Sequence, residues 1–136
     1  MGKVGKAVLL AVSAVSVVAV NGAARVSHAE DIPAVNPLSG DEAAIKKGRS
    51  WFRGVCAVCH GGRADGAGER GQGADLRKFN KGFRGFVETV KNGKATGRSL
   101  AMPAWGAVLK DEDIYQIGAY LETLAIDGAK WKEDLH

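Results

Sequence analysis

Hydrophobic and polar positions along the chain alternate with helical spacing in three places. The first predicted helix runs from about Gly40 to Arg53, because apolar residues recur there every three or four positions. They are Ala44, Ile45, Gly48, Trp51 and Phe52. Ser39 and Glu42 fit a capping box, in which the serine caps the helix and the glutamate reaches back. This pattern predicts that the helix begins just after Ser39.

Two more helices and one long loop follow. One helix is predicted from about Phe83 to Lys91, ended by Asn92-Gly93. The last should be capped by Asp111 and closed by Asp127-Gly128, with apolar positions at helical spacing between them. Residues 61–73 hold six glycines in thirteen positions and are predicted to be a loop. With no alternating pattern and no internal repeat, the prediction is all-α.

The amino terminus has the pattern of an export signal. Lys3 and Lys6 precede an apolar run from Ala7 to Val20, and Ser27-His28-Ala29 places small residues at a cleavage site. We therefore predict a signal peptide over residues 1–29, cleaved before Glu30, and a periplasmic protein. Two alternatives stay open: cleavage near Gly22-Ala23-Ala24, or an uncleaved membrane anchor at the short end of the spanning range.

Cleavage would leave an extended lead-in over 30–38, a domain over 39–128 and a polar tail over 129–136. This part carries sixteen basic and fifteen acidic residues, a net charge of +1, which gives nucleic-acid binding little support. The charge is unevenly distributed: residues 46–98 have a net charge of +9 and residues 110–136 a net charge of −4. A basic surface near the middle of the chain would suit acidic protein partners.

The chain's two cysteines, Cys56 and Cys59, are three residues apart and are followed at once by His60. A disulfide across so small a loop would constrain little of the unfolded chain. Zinc would need four ligands at spacings the sequence lacks, and a redox dithiol would need a βαβ setting. Cys-x-x-Cys-His is the attachment sequence of c-type haem, with both thiols on one helical face and the histidine below the iron. We predict one covalent haem c.

The ligand at the sixth position of the iron is predicted from the small number of candidate side chains. Apart from Met1, Met102 is the only methionine, and Pro103 after it favours an extended backbone in a loop. Met102 and His60 are therefore the predicted iron ligands, which favours one-electron transfer over ligand chemistry. Lys94 or Lys110 as the ligand, or a vacant site, remain alternatives.

The motif CAVCH, the pair Gly48 and Phe52, MPAWG from Met102 and the final stretch IYQIGAYLETL resemble a class I c-type cytochrome over about 41–125. This resemblance implies three to four helices wrapped around one covalent haem, with Gly48 and Phe52 against Tyr120. The family often has Gly-Pro-x-Leu after the haem motif, and the proline carbonyl accepts a hydrogen bond from the haem-ligating histidine. Here the segment is Gly73-Ala74-Asp75-Leu76, so alanine stands where the family has proline.

The run from VKNGK to the last helix is similar to small periplasmic cytochromes that take electrons from PQQ-dependent methanol and other alcohol dehydrogenases. The implied function is a one-electron carrier from a dehydrogenase towards a terminal oxidase, and not an enzyme. Arg53, Arg63, Lys94 and Arg98 are expected to form a basic rim that docks acidic partners, and Trp105 to pack near the haem. The alternatives are peroxide or gas chemistry at an open iron, or a fixed subunit of a dehydrogenase. For the latter, the candidate exposed contacts are Trp51, Trp105 and Trp131, of which Trp131 has no obvious core role.

Overall fold

The structure is a computed structural model that describes Gly2 and residues 31–70, 73–95, 97 and 100–133. It has four α-helices: α1 Glu42–Trp51, α2 Ala57–His60, α3 Gly82–Asn92 and α4 Asp111–Glu122. A π-helical turn, Phe52–Cys56, joins α1 to α2, and a 3-10 turn, Leu76–Lys78, precedes α3. The described residues contain no β-strand, so the all-α prediction is confirmed.

The cap of α1 differs from the predicted one. Asp41, not Ser39, caps the helix, because its carboxylate accepts a 2.7 Å hydrogen bond from the backbone N–H of Ala44. The Ser39 hydroxyl instead donates to the Glu122 carboxylate on α4, at 2.6 Å. The predicted capping box is therefore wrong: Ser39 joins two segments that are far apart in sequence.

Both ends of α4 also differ from the predicted ones. Lys110, not Asp111, is the cap residue, and its N–H donates to the Asp113 side chain at 3.0 Å. The helix ends at Glu122, where the Thr123 hydroxyl and N–H both turn back to the Tyr120 carbonyl at 2.6 and 3.0 Å. These short-range bonds replace the regular helical ladder, so the chain leaves the helix before Asp127.

Helices α1 and α4 cross in close contact at Gly48. A Cβ atom at Gly48 would overlap the backbone of Gln116 and Ile117, so only glycine permits this approach. One turn further along, the Phe52 and Tyr120 rings pack with centroids 5.6 Å apart. The contact implied by the resemblance is present, and it sets how the haem motif at the end of α1 sits against the carboxyl-terminal helix.

Replacing Gly48 by alanine should destabilise the protein by about 1–3 kcal/mol, because the added methyl group forces the two backbones apart. Gly54→Ala is the matched control, since a Cβ at Gly54 would meet nothing within 4 Å. Urea unfolding followed by circular dichroism measures both. Equal midpoints for the two variants would contradict the proposed close crossing.

The carboxyl-terminal segment packs into the core. Trp131 is 4% exposed, with its ring centroid 5.0 Å from that of Phe79 and 5.1 Å from that of Phe86. Lys130 N–H donates to the Phe79 carbonyl at 2.8 Å, which ties the segment to the turn before α3. The suggestion that Trp131 is an exposed contact for a partner is therefore wrong. The predicted polar tail contributes a core residue.

The lead-in also docks on the domain. Asn36 is buried and donates from Nδ2 to the Tyr115 carbonyl on α4 at 2.9 Å. The predicted signal peptide and its cleavage site lie outside the described residues. Within the described part of the chain, no helix combines the length and hydropathy needed to cross a membrane.

Candidate haem site

The cysteine motif begins inside the π-helical turn and ends with α2. Cys56 is the last residue of the π turn, and Cys59 and His60 end α2. Neither thiol is in a disulfide. Burial, together with the neighbouring Cys59, raises the pKa of Cys56 to about 11. A redox-active cysteine needs a lowered thiol pKa, so the site does not have the electrostatics of a reactive dithiol.

The glycine-rich loop after the motif packs directly against its backbone. Gly68 and Gly73 lie so close to Cys59 that a Cβ on either would overlap its backbone carbonyl group. Gly73 N–H donates to the Cys59 carbonyl at 3.0 Å, and Arg70 N–H donates to the Val58 carbonyl at 3.2 Å. The loop thus supports the motif from one side and satisfies carbonyls at the end of a very short helix.

His60 is oriented by its second ring nitrogen. Nδ1 lies 2.9 Å from the Ala74 carbonyl oxygen, so the tautomer that donates this hydrogen bond carries its proton on Nδ1. Nε2 then has a free lone pair for a metal. Histidines that ligate metals commonly have this arrangement, which fixes the ring and raises the basicity of the ligating nitrogen. The bond is present although alanine replaces the family's proline.

The segment after Ala74 is held by an ion pair. The Asp75 carboxylate accepts hydrogen bonds from Arg77 Nε at 2.9 Å, from Arg77 Nη2 at 2.8 Å and from the Arg77 backbone N–H at 3.1 Å. Hydrogen bonds from the Arg77 side chain lower the pKa of Asp75 to about 2. The pair is therefore ionised over the whole neutral range, and Asp75 caps the 3-10 turn.

Met102 lies in the loop that follows α3. Its backbone exchanges two 3.0 Å hydrogen bonds with Lys94, forming an isolated β-bridge. Further along the loop, the N–H groups of Trp105 and Gly106 donate to the Val90 and Lys91 carbonyls. The Met102 and Trp105 side chains, like that of Cys56, are half-buried and pack against the main hydrophobic core. The alternative ligands Lys94 and Lys110 are exposed.

Gly93 allows the Met102 loop to return to α3. Its φ of 72° lies in the left-handed region, and a Cβ there would come within 2.8 Å of the backbone at Pro103 and Ala104. Both the conformation and the close approach therefore require glycine. From the sequence, Gly93 is predicted only to end a helix.

The residues present suit a covalently attached haem. Two free thiols share a short helical segment, His60 has one nitrogen free for a metal, and a thioether side chain packs against the same core as Cys56. Among the described residues, no group of three or more His, Cys, Asp or Glu side chains could hold a metal ion by itself. The donor set is that of haem iron and not that of a zinc site.

Comparison with known proteins assigns the family. Residues 43–121, more than half of the chain, match the family described as cytochrome C oxidase, cbb3-type, subunit III. The chain belongs to the class I c-type cytochromes. The fold, the family resemblance and the covalent haem c with its iron are therefore confirmed for this cytochrome.

Its relatives include both oxidase subunits and small cytochromes. The cytochrome is 36% identical over 98 residues to the cbb3-type cytochrome c oxidase subunit CcoP of Azospirillum sp. (strain B510), covering 66% of this chain and 32% of the relative. It is 33% identical over 95 residues to cytochrome c6 of Chlorolobion braunii, covering 66% of this chain and all of the relative. Cytochrome cL of Methylophaga aminisulfidivorans superposes with a TM-score of 0.53 at 27% identity, over 67% and 59% of the two chains.

The cytochrome spans about a third of the length of the two CcoP relatives. It covers the whole of the algal cytochrome c6. The matched part is thus a haem domain that occurs both within larger subunits and as a small cytochrome.

Proposed function

We propose that Cys56 and Cys59 carry the haem as two thioethers and that His60 and Met102 ligate its iron. The observation that carries this proposal is the 2.9 Å contact between His60 Nδ1 and the Ala74 carbonyl oxygen, which leaves Nε2 for the metal. When bound, the haem supplies a one-electron couple. His60 is held by the Ala74 carbonyl and Met102 by its paired backbone, so both can stay in place in either oxidation state.

This arrangement supports a carrier and not an enzyme. The iron would have two protein ligands, and a rigid ligand set lowers the reorganisation needed when an electron arrives or leaves. The one histidine outside the motif in the predicted mature chain, His136, lies at the last position and outside the described residues. The proposed role is to take electrons from a dehydrogenase, for example a PQQ-dependent alcohol dehydrogenase, and pass them towards a terminal oxidase in the periplasm.

Carbon monoxide tests the alternative of peroxide or gas chemistry. With Met102 on the iron, we expect the reduced native protein to bind no carbon monoxide at neutral pH within minutes. An absorption spectrum recorded before and after addition of the gas measures this. Prompt binding of one equivalent per haem would overturn the carrier proposal, because it requires a vacant sixth position.

The proposed docking surface combines basic and apolar residues near the motif and the Met102 loop. Arg53, Arg63 and Lys94 are exposed, as the basic rim requires, whereas Arg98 lies outside the described residues. Val58, between the two cysteines, is 42% exposed, and Val108 at the end of the loop is 70% exposed. Basic charge around apolar surface suits a partner that binds briefly through an acidic face.

We expect the second-order rate of electron transfer with an acidic redox partner to fall as ionic strength rises, because salt screens the attraction. Arg53→Gln should lower the rate at low salt and flatten the profile. Lys132→Gln, in the acidic carboxyl-terminal segment, is the control and should leave the profile unchanged. Stopped-flow kinetics at several salt concentrations provides the measurement, and a native profile that is flat or rises with salt would contradict docking through this rim.

A fixed subunit of one dehydrogenase is the other alternative. Of its candidate aromatic contacts, Trp131 is buried in the core, Trp105 is half-buried and Trp51 is 38% exposed. Co-purification from the source organism distinguishes the two forms: a mobile carrier should separate from its donor during gel filtration.

A further inference from the structure

We infer that Asp75 and Arg77 are positioning residues for the haem ligand, holding the Ala74 carbonyl on His60 where the family has a proline. This inference rests on the proposal that His60 ligates the iron. It concerns a pair of side chains whose described hydrogen bonds are to each other and not to His60, and which act through the neighbouring peptide group.

The Ala74 carbonyl belongs to the peptide unit between Ala74 and Asp75. The orientation of that unit is set by ψ of residue 74 and φ of residue 75. A proline at 74 would fix φ of residue 74 through its ring and so stiffen the backbone directly before this unit. Alanine imposes no such restriction, and Ala74 is exposed, so its side chain does not hold the carbonyl; the Gly66 backbone lies against the same peptide.

The Asp75–Arg77 pair restricts the same peptide from the other side. The Asp75 side chain accepts the Arg77 backbone N–H and both arms of its guanidinium, and Asp75 caps the 3-10 turn. A bidentate carboxylate–guanidinium pair is directional as well as charged. These bonds close a ring through ψ of Asp75 and both torsions of Leu76, so the pair stiffens the backbone directly after the Ala74–Asp75 peptide.

The pair is itself anchored to two distant parts of the chain. Leu76, between its two members, donates its N–H to the Ala64 carbonyl at 2.8 Å, and the Arg77 carbonyl accepts from Ile126 N–H at 3.0 Å. On the other side of Ala74, Gly73 N–H donates to the Cys59 carbonyl at 3.0 Å. Backbone bonds therefore place the segment, and the pair stiffens the backbone next to the peptide whose carbonyl meets His60.

The reduction potential reports on this contact. A firm hydrogen bond from Nδ1–H raises the basicity of His60 and so favours the oxidised iron. Loosening the carbonyl should favour the reduced iron and raise the potential. Partners of metal-ligating histidines commonly change metal affinity at least tenfold, and a tenfold change in the ratio of oxidised to reduced affinity is ~59 mV for a one-electron couple.

The Arg77→Leu variant of the haem-loaded protein separates the effect of the lost hydrogen bonds from the effect of the lost positive charge, because the two shift the potential in opposite directions. Loss of a positive charge alone would favour the oxidised iron and lower the potential. Loss of the hydrogen bonds between Asp75 and Arg77 should raise the potential, by up to the ~59 mV that corresponds to a tenfold change in that affinity ratio. Arg63→Leu is the matched control: it removes the same charge from an exposed side chain whose nearest carboxylate, on Asp65, is 3.9 Å away, and it should not raise the potential.

Two further measurements connect the shift to His60. Exchange of the His60 Nδ1 proton with solvent, followed by NMR, should be faster in Arg77→Leu and unchanged in Arg63→Leu. Adding Ala74→Pro to Arg77→Leu should restore both potential and exchange rate, because the ring supplies the lost constraint. Proline fits here, since no bond from the Ala74 N–H occurs among the described contacts and the preceding residue is Gly73.

A lowered or unchanged potential in Arg77→Leu, with unchanged exchange of the His60 proton, would overturn the inference. Should that variant fold poorly, Arg77→Lys keeps the charge but loses the two-armed contact, and an unchanged potential there would overturn it equally. Failure of the underlying proposal has another signature: His60→Ala would then keep the low-spin haem spectrum, whatever the Arg77 variants do.

Discussion

Replacing Met102 by alanine is expected to abolish the sulfur-to-iron absorption band of the oxidised protein and to lower its reduction potential by on the order of 0.1 V, within the ~0.8 V range that axial ligands set. Histidine and methionine together raise the potential, because a thioether favours reduced iron. Water in its place favours the oxidised state. Visible absorption and redox titration of the haem-loaded protein measure the two effects.

Two variants separate ligation from packing in this experiment. Met102→Leu keeps an apolar side chain of similar size against the core but has no sulfur, so it should lose the band as completely as the alanine variant. Val108→Ala changes a 70% exposed side chain of the same loop and should keep both band and potential. The fold of the loop should survive in each, because the bridge between Lys94 and Met102 uses backbone atoms only. Persistence of the band in Met102→Ala would rule out this ligand.

Trp131→Ala should lower the free energy of unfolding by about 3–5 kcal/mol, since it removes a large aromatic side chain from a packed core. Domains of this size are stable by only about 5–15 kcal/mol, so the loss would be a large part of the total. The cavity would open between Phe79 and Phe86, whose rings lie about 5 Å from that of Trp131. Urea unfolding of the oxidised protein, followed by circular dichroism, measures the change.

Trp131→Phe is the companion variant. It keeps an aromatic ring but is smaller than the indole and lacks Nε1, which is buried with no hydrogen-bond partner in the described part of the chain. Its cost should be clearly smaller than that of Trp131→Ala, because most of the buried aromatic surface remains. If Trp131→Ala were no less stable than Trp131→Phe, the carboxyl-terminal segment would not be part of the core.

The haem motif could be predicted from sequence because its chemistry is local. Cys56, Cys59 and His60 lie within one helical turn, and their spacing alone places three donors on one face. Helix α3 was likewise predicted within one residue at each end, because Phe83 begins its apolar face and Gly93 ends it. Where neighbours along the chain supply both partners of an interaction, periodicity and capping rules suffice.

Errors arose where the partner is distant in sequence. Ser39 has the side chain of a cap, but Glu122 offers its hydroxyl another acceptor, and Asp41 caps the helix instead. Trp131 follows a helix and is surrounded by polar residues, so nothing local indicates that it fills the space beside Phe86. One error was local: the cap of α4 was misplaced by one residue, because the cap position holds Lys110 and the Asp113 side chain accepts the Lys110 backbone N–H.

By itself the sequence determined the cofactor and the class of fold, because the Cys-x-x-Cys-His motif and the helical periodicity indicate both without reference to shape. Only the tertiary structure decided how the predicted ligands are held. The Ala74 carbonyl reaches His60, and Gly93 lets the Met102 loop return to α3, through contacts between segments that the order of residues does not bring together. Such contacts depend on packing in three dimensions. At Gly93 the close approach of two backbone segments requires glycine, and beside Ala74 the Asp75–Arg77 ion pair takes the place of the family's proline.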